Sequence, residues 1–200
     1  MNLLRQYVRG ILLNEAAKGP NDLPDDTLIV IDGDPSRGQV IIYISVDDEA
    51  EGYPELGEMD GLHGSIRISN TPDAFGACDG AMVVDYSTAT HGYGPLLYDI
   101  AIEYATIHAN GLIPDRRSVS DAAKYVWSIY QRERYNDVRT HQLDDPFDKL
   151  TPTPKDNCDQ EVSGYWDGAD WTASPLSQRY TKSPPATINH LQKIGKLVYI

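Results

Sequence analysis

Hydrophobic side chains recur at helical spacing in four segments of the chain, at residues 2–18, 97–107, 121–134 and 187–194. Apolar residues at positions i, i+3, i+4 and i+7 form one face of a helix, and a glycine after the last of them is a stop signal. In the first segment this face consists of Leu3, Leu4, Tyr7, Val8, Ile11 and Leu12, and in the second of Leu97, Ile100, Ala101, Tyr104 and Ile107. The pattern therefore predicts an amphipathic N-terminal helix, two central helices and a short C-terminal helix.

Runs of β-branched and aromatic residues predict strands between these helices. Residues 27–46 contain two such runs on either side of a turn, which is the pattern of a hairpin. Further strands are predicted at 64–69, 81–87, 111–115 and 137–143. This order of elements predicts a mixed α/β sheet. We divide the chain into an N-terminal helix (1–20), a core (21–143) and a C-terminal extension (144–200) packed on the core.

The chain of 200 residues is acidic, with a formal net charge of −13 and a sequence pI of about 4.6. Such a surface repels phosphate backbones, so we expect no nucleic-acid partner, and it suits a cationic or amine-bearing partner. A membrane span requires about 18 apolar residues in a row, and the sequence shows no such run. The acidic loops at 47–60 and 144–161 either attract a cationic acceptor or are simply solvated.

Cysteine usage is sparse, with Cys78 and Cys158 eighty residues apart. Neither has a second cysteine or a histidine at the spacing of a zinc site, so we expect no metal centre. Two isolated cysteines suggest a reducing compartment.

The segment STATHGYGPLLYDIA, residues 87–101, holds the main candidate for a binding site. A predicted strand precedes Gly92 and Gly94, and Pro95 stands where the first helical residue is expected. Glycines let the backbone approach a ligand closely, and the N–H groups at a helix N-terminus attract anions. The same residues also suit a sharp turn that only starts a helix. A Walker loop is excluded because no lysine is present, and a dinucleotide fingerprint because Leu97 replaces its third glycine.

The succession of strand, ATHGYG, helix, short strand, helix and strand resembles the core of the GNAT superfamily of N-acetyltransferases. The pyrophosphate loop of that family reads Gln/Arg-x-x-Gly-x-Gly/Ala; here Ala89 stands at the first position, and Gly92 and Gly94 match the small residues. The resemblance implies a mixed, mostly antiparallel sheet flanked by helices, and acetyl-CoA as cosubstrate. It also implies that the strand backbone and the loop hold this cosubstrate through Val84, Tyr86, Thr90, His91, Gly92, Tyr93 and Gly94.

Longer segments resemble a group of tailed-bacteriophage proteins with a GNAT-like core. These segments are LLRQYVRGIL, GYGPLLYDIAIE, GLIPDRRSVS, QLDD, DNCDQ and SPLSQRYTKSPPATINHLQKIGKLV. The resemblance implies a phage protein that acts in the host cytoplasm or is packaged in the virion. The segment LLNEA looks like the sites cut by prohead proteases. The chain is therefore either cleaved after Glu15 and packaged, or it keeps its first helix on the domain.

Acetyl transfer to an amine needs an acid for the leaving thiolate and a base for the amine. On this resemblance we assign the acid to Tyr130, one helical turn beyond Trp127, and the base to Asp85 at the end of a strand. Both positions have an equally simple alternative: Tyr130 is only a packed aromatic residue, and Asp85 is only an exposed aspartate at the end of a strand.

The predicted function is that of an acetyl-CoA-dependent N-acetyltransferase whose acceptor is an amine of a host protein or of a small molecule. The alternative is a catalytically inactive protein of GNAT fold that belongs to the virion or interacts with a host protein. Ala89 and Trp127 favour the alternative, because they replace the loop's first polar residue and the usual tyrosine of the family.

Overall fold

The computed structural model describes residues 17–34, 38–46, 63–72, 76–90, 92–134, 136–143, 158 and 171–200. In these parts of the chain, eight strands form one sheet, and three helices accompany it. The strands are β1 (Thr27–Asp32), β2 (Gln39–Val46), β3 (Gly64–Asn70), β4 (Met82–Ala89), β5 (Leu112–Ile113), β6 (Val138–Gln142), β7 (Gln178–Lys182) and β8 (Leu197–Tyr199). The helices are α1 (Gly94–His108), α2 (Asp121–Arg132) and α3 (Ala186–Lys193).

The sheet is mixed and mostly antiparallel, with the strand order β6-β7-β5-β4-β3-β2-β1-β8. Two of its neighbouring pairs, β4–β5 and β1–β8, are parallel. The other five pairs are antiparallel. The predicted α/β class is therefore confirmed, and so is the predicted hairpin, which β1 and β2 form.

The main core lies between α1 and one face of the sheet. Alternation along β1, β2 and β3 places fully buried isoleucines on that face: Ile29, Ile31, Ile42, Ile44, Ile66 and Ile68. Leu97, Ile100 and Tyr104 of α1 pack on the same cluster, as predicted. Ile107 was predicted to share this face but is 51% exposed, because the buried part of α1 ends at Ala105.

The C-terminal residues 178–199 are part of the sheet and its core. β7 lies between β5 and β6, and β8 pairs in parallel with β1. The predicted C-terminal helix is confirmed as α3, which packs on α1 through Ile188 and Leu191. The sheet therefore combines strands from both sides of residue 144.

Cys78 and Cys158 form a disulfide. Both are fully buried, in a small apolar cluster that also contains Val83 and Ile113. The expectation of a reducing compartment loses its basis, because it rested on isolated cysteines that the fold brings together.

A buried group of charges joins β7 to α1 and α3. Lys182 Nζ lies 2.8 Å from Glu103 Oε1 and 3.1 Å from Asp99 Oδ1, and it donates to Thr187 Oγ1 at 2.9 Å. The Glu103 carboxylate, which is 0% exposed, also accepts the backbone N–H groups of Thr187 and Ile188 at the start of α3. An acidic group at a helix N-terminus complements the helix dipole, so this contact holds α3 on α1.

Residues 1–16, which contain the cleavage position Glu15 and all but the last two residues of the predicted N-terminal helix, lie outside the described residues, as do most of the two acidic loops. Ala17 and Lys18, the last predicted positions of that helix, are not helical. Within the described ranges, no helix has both the length and the apolar character that crossing a bilayer requires.

Candidate functional site

β4 and β5 run side by side for only a short distance and then separate. They pair in parallel at Met82 with Leu112 and at Val83 with Ile113. β5 ends there, whereas β4 continues to Ala89. The antiparallel register with β3 also shifts at this point, so that Asp85 is an extra residue in β4. Such a β-bulge bends and twists the strand, and it accompanies the opening beside β4.

Two adjacent cavities occupy the space between β4, the start of α1 and the start of α2. The larger, of about 530 Å³, is lined by Ala17, Ser87, Thr88, Ala89, Gly92, Gly94, Pro95, Leu97, Tyr98, Ser120, Ala122, Ala123, Tyr125, Val126, Ile129, Glu133 and Arg134. The smaller, of about 300 Å³, is lined by Val84, Asp85, Tyr86, Ser87, Tyr98, Asp115, Ser118, Val119, Ser120, Ala123 and Trp127. Among the described residues, four line both cavities, so the two cavities are adjacent. We call them together the groove; it extends from the bulge to the glycine loop, the turn before α1 that contains Gly92 and Gly94.

The glycine loop forms one end of the larger cavity. Gly92 has φ +82°, in the left-handed region that favours glycine. Helix α1 begins at Gly94, so Pro95, which was predicted at the first helical position, stands at the second. The first N–H groups of a helix have no intrahelical partner, and the helix dipole adds partial positive charge there. This end of the groove therefore suits an anion.

The predicted cosubstrate residues that the structure describes fall into three groups. Val84 and Tyr86 line the smaller cavity, and the two glycines line the larger one. Thr90 and Tyr93 hold the loop in place. Thr90 donates through its N–H and its hydroxyl to His63 O, and the Tyr93 hydroxyl donates to Asp22 O at 2.9 Å. His91 lies outside the described residues.

Asp85, the predicted base, lines the smaller cavity at the bulge. Its Oδ1 accepts a hydrogen bond from Ser69 Oγ at 2.9 Å, and its Oδ2 lies 3.6 Å from Arg67 Nε. The Asp85 carboxylate is therefore next to the cavity, and the side chains of Ser69 and Arg67 on β3 both contact it.

Tyr130, the predicted acid, lies behind the groove. It is 2% exposed, and its hydroxyl lies 2.9 Å from Asp99 Oδ1 and 3.1 Å from Pro95 O. Burial, reinforced by the negative charge of Asp99, raises the pKa of this hydroxyl well above its ordinary value. Tyr130 does not belong to the residues that line either cavity. This geometry favours a structural role, in which Tyr130 ties α2 to the start of α1.

Tyr98 and Ser87 both line the two cavities, and neither was predicted as a site residue from the sequence. Tyr98 Oη and Ser87 Oγ form a hydrogen bond of 3.0 Å. Burial raises the pKa of the Tyr98 hydroxyl, and this hydrogen bond partly lowers it. Tyr98 is four residues beyond Gly94, so helical spacing alone places it one turn above the glycine loop. That spacing was the available signal.

In the part of the chain that the structure describes, two cations lie near the larger cavity. The backbone N–H of Lys18 donates to Gly92 O at 3.0 Å, and Lys18 Nζ lies 4.5 Å from the centroid of the Tyr93 ring. Arg134 lines the cavity, but its guanidinium is paired with Asp99 and Asp137. The hydrogen bond to Asp137 is the main reason that the pKa of Arg134 is raised. Counting only described residues, Lys18 has no carboxylate partner, whereas Arg134 has two.

Comparison with known proteins identifies no relative: no family model, curated protein or solved structure matches the chain significantly.

Proposed function

We propose that the chain is an acetyl-CoA-dependent N-acetyltransferase of GNAT-like fold, which transfers acetyl to an amine. The observation that carries the proposal is the groove that opens where β4 leaves β5 at a bulge and ends at the glycine loop. Its shape suits a long ligand with a phosphate-bearing end. Together the two cavities fall in the size range of small-molecule sites.

Coenzyme A fits the chemistry of the lining residues. Its pyrophosphate would lie at the loop of Gly92 and Gly94, where helix N–H groups attract anions. Its pantetheine arm would follow the largely apolar walls, which include Leu97, Ala123 and Val126. The thioester would then reach the bulge, next to the smaller cavity.

The acceptor in this proposal is an amine. Asp85 and Asp115 both line the smaller cavity, and the whole chain has a net charge of −13. Negative charge near a site attracts an ammonium group and raises its local concentration.

A second candidate is a protein that binds coenzyme A without turnover. The observation that favours it is that both predicted catalytic groups are engaged elsewhere, Asp85 with Arg67 and Tyr130 with Asp99. Slow or absent consumption of acetyl-CoA, together with tight binding of coenzyme A, would identify this case.

Calorimetry with coenzyme A tests the proposal, and Gly94 is the position to change. Gly92 is unsuitable, because any side chain at its φ of +82° is strained. Among the described residues, an added Cβ at Gly94 meets only the Cβ of Ala89, at 3.7 Å, which is an ordinary contact. A carboxylate in the first turn also favours the helix dipole. We therefore expect Gly94→Glu to fold and to bind coenzyme A at least about tenfold more weakly than Gly94→Gln, since only the charge differs.

The matched glutamine variant separates charge from size. Equal affinities of the two variants would show that no phosphate lies at Gly94. If the unchanged protein shows no heat of binding at millimolar coenzyme A, the proposed function is wrong.

Lys18 supplies a second prediction for the same site. We expect Lys18→Met to weaken coenzyme A binding by about 3- to 10-fold, because a partly solvated charge pair is worth about 1 kcal/mol. The affinity for pantetheine, which has no phosphate, should stay unchanged. Lys193→Met is the control, because Lys193 is exposed on α3 and lines neither cavity. An equal loss for both ligands would contradict a role for this charge.

A further inference from the structure

We propose that Tyr98 is the group that donates a proton to the leaving sulfur, with Ser87 as the residue that orients it. The inference rests on the proposed function. It replaces the predicted acid Tyr130 by a hydroxyl on a different helix.

The position of Tyr98 between the two cavities is the first argument. Tyr98 is one of four residues that line both cavities, so it stands between the part of the groove assigned to the phosphates and the part at the bulge. A thioester that extends from the glycine loop toward Val84 and Asp85 must pass this point. Tyr130, in contrast, lines neither cavity, and its hydroxyl is directed to Asp99.

Packing fixes the orientation of the phenol ring. The ring of Tyr98 meets the ring of Trp127 edge to face, with 5.1 Å between centroids. Its Oη is hydrogen-bonded to Ser87 Oγ at 3.0 Å, and the residue is 4% exposed. Trp127 therefore supports a tyrosine on the neighbouring helix.

The protonation state suits a donor. Burial raises the pKa of Tyr98, so its hydroxyl keeps its proton at neutral pH. A hydroxyl both donates and accepts hydrogen bonds, so Ser87 can donate to Tyr98 while Tyr98 donates to sulfur. A donor aimed at the atom where charge develops stabilises the transition state.

The proposed transfer balances in bonds and protons. The amine nitrogen bonds to the acetyl carbon, and the carbon–sulfur bond breaks with its electron pair on sulfur. Tyr98 gives its proton to that sulfur. The proton that the nitrogen loses returns to Tyr98 through Ser87 and solvent, so that the products are an amide and the free thiol of coenzyme A.

The test measures the pKa of the coenzyme A thiol in its complex with the protein, from the ultraviolet absorbance of the thiolate. This needs no knowledge of the acceptor. A hydrogen bond from Tyr98 stabilises the thiolate, so we expect Tyr98→Phe to raise the thiol pKa by about one pH unit. Tyr130→Phe is the matched control and should leave it unchanged. The affinity for desulfo-coenzyme A, which lacks the sulfur, should be the same in the Tyr98→Phe variant as in the unchanged protein.

The outcomes separate the two proposals. If coenzyme A binds but the thiol pKa is equal in the unchanged protein and in Tyr98→Phe, Tyr98 is not the donor, and the binding site stands. If only Tyr130→Phe raises the thiol pKa, Tyr130 is the proton donor to the sulfur. Absence of coenzyme A binding to the unchanged protein would overturn both proposals. If Tyr98→Phe loses desulfo-coenzyme A binding through misfolding, Ser87→Ala decides instead, with a rise in the thiol pKa expected and no rise contradicting the inference.

Discussion

Replacing Lys182 with methionine is expected to lower the free energy of unfolding by about 3 to 5 kcal/mol, since it removes one partner of a buried ion pair. Lys182 is 4% exposed, and its ammonium contacts Glu103, Asp99 and Thr187. Methionine fills a similar volume but leaves the fully buried Glu103 carboxylate without its cation. The two N–H donors of α3 remain, so the carboxylate keeps part of its stabilisation.

Chemical denaturation at neutral pH measures this effect. Lys193→Met, at an exposed position of α3, should change stability by less than about 0.5 kcal/mol. The double variant Lys182→Met/Glu103→Gln should be more stable than the sum of the single losses predicts, because the unpaired charge is gone. Strict additivity would mean that the two side chains do not interact.

Removing the disulfide is expected to cost about 4.5 kcal/mol in the loop-closure account, because the bond closes a loop of 80 residues. The double variant Cys78→Ala/Cys158→Ala keeps the small buried cluster apolar while opening this loop. The loss arises mainly in the unfolded chain, which gains conformational freedom.

Denaturant unfolding of the double variant and of the reduced unchanged protein should give the same midpoint, well below that of the oxidised protein. A thiol titration of the denatured, unreduced protein provides the check. Two free thiols there would show that the cysteines are not bonded, and equal midpoints before and after reduction would show that the bond adds no stability.

The disulfide also connects to the groove through a buried arginine. Arg116 is 0% exposed and donates a hydrogen bond to Cys158 O at 3.2 Å. In the sequence it directly follows Asp115 and stands two residues before Ser118. Asp115 and Ser118 line the smaller cavity. Calorimetry with the reduced protein therefore also tests whether binding of coenzyme A depends on the bond.

Much of the fold was accessible from the sequence because it depends on local patterns. The hairpin of β1 and β2 followed from alternating β-branched residues around a turn, and α1 followed from its periodic apolar residues. The strands β7 and β8 were not predicted. β8 has three residues, which carry too little periodicity to be distinguished from a loop, and β7 (QRYTK) contains a single aromatic residue among polar ones. The pairing of β8 with β1 is a contact between distant parts of the chain.

The candidate site also has one part that the sequence predicts and another that it does not. The glycine loop before α1 was predictable, because Gly92, Gly94 and Pro95 express backbone requirements that neighbouring residues alone impose. Which tyrosine belongs to the site could not be predicted from the sequence. Tyr130 and Tyr98 are both tyrosines on predicted helices, and only the packing of α1 and α2 decides which of them lines the groove.

By itself, the sequence determined the α/β class, the helices α1 to α3, the strands β1 to β6 and the turn that starts α1, since these follow from side-chain periodicity and from glycine and proline. Only the tertiary structure decided which distant groups meet. It placed β7 between β5 and β6, joined Cys78 to Cys158, and buried Lys182 against Glu103. The bulge at Asp85 in β4 belongs to the same group, because it is a mismatch between β3 and β4 and neither strand's sequence specifies it alone.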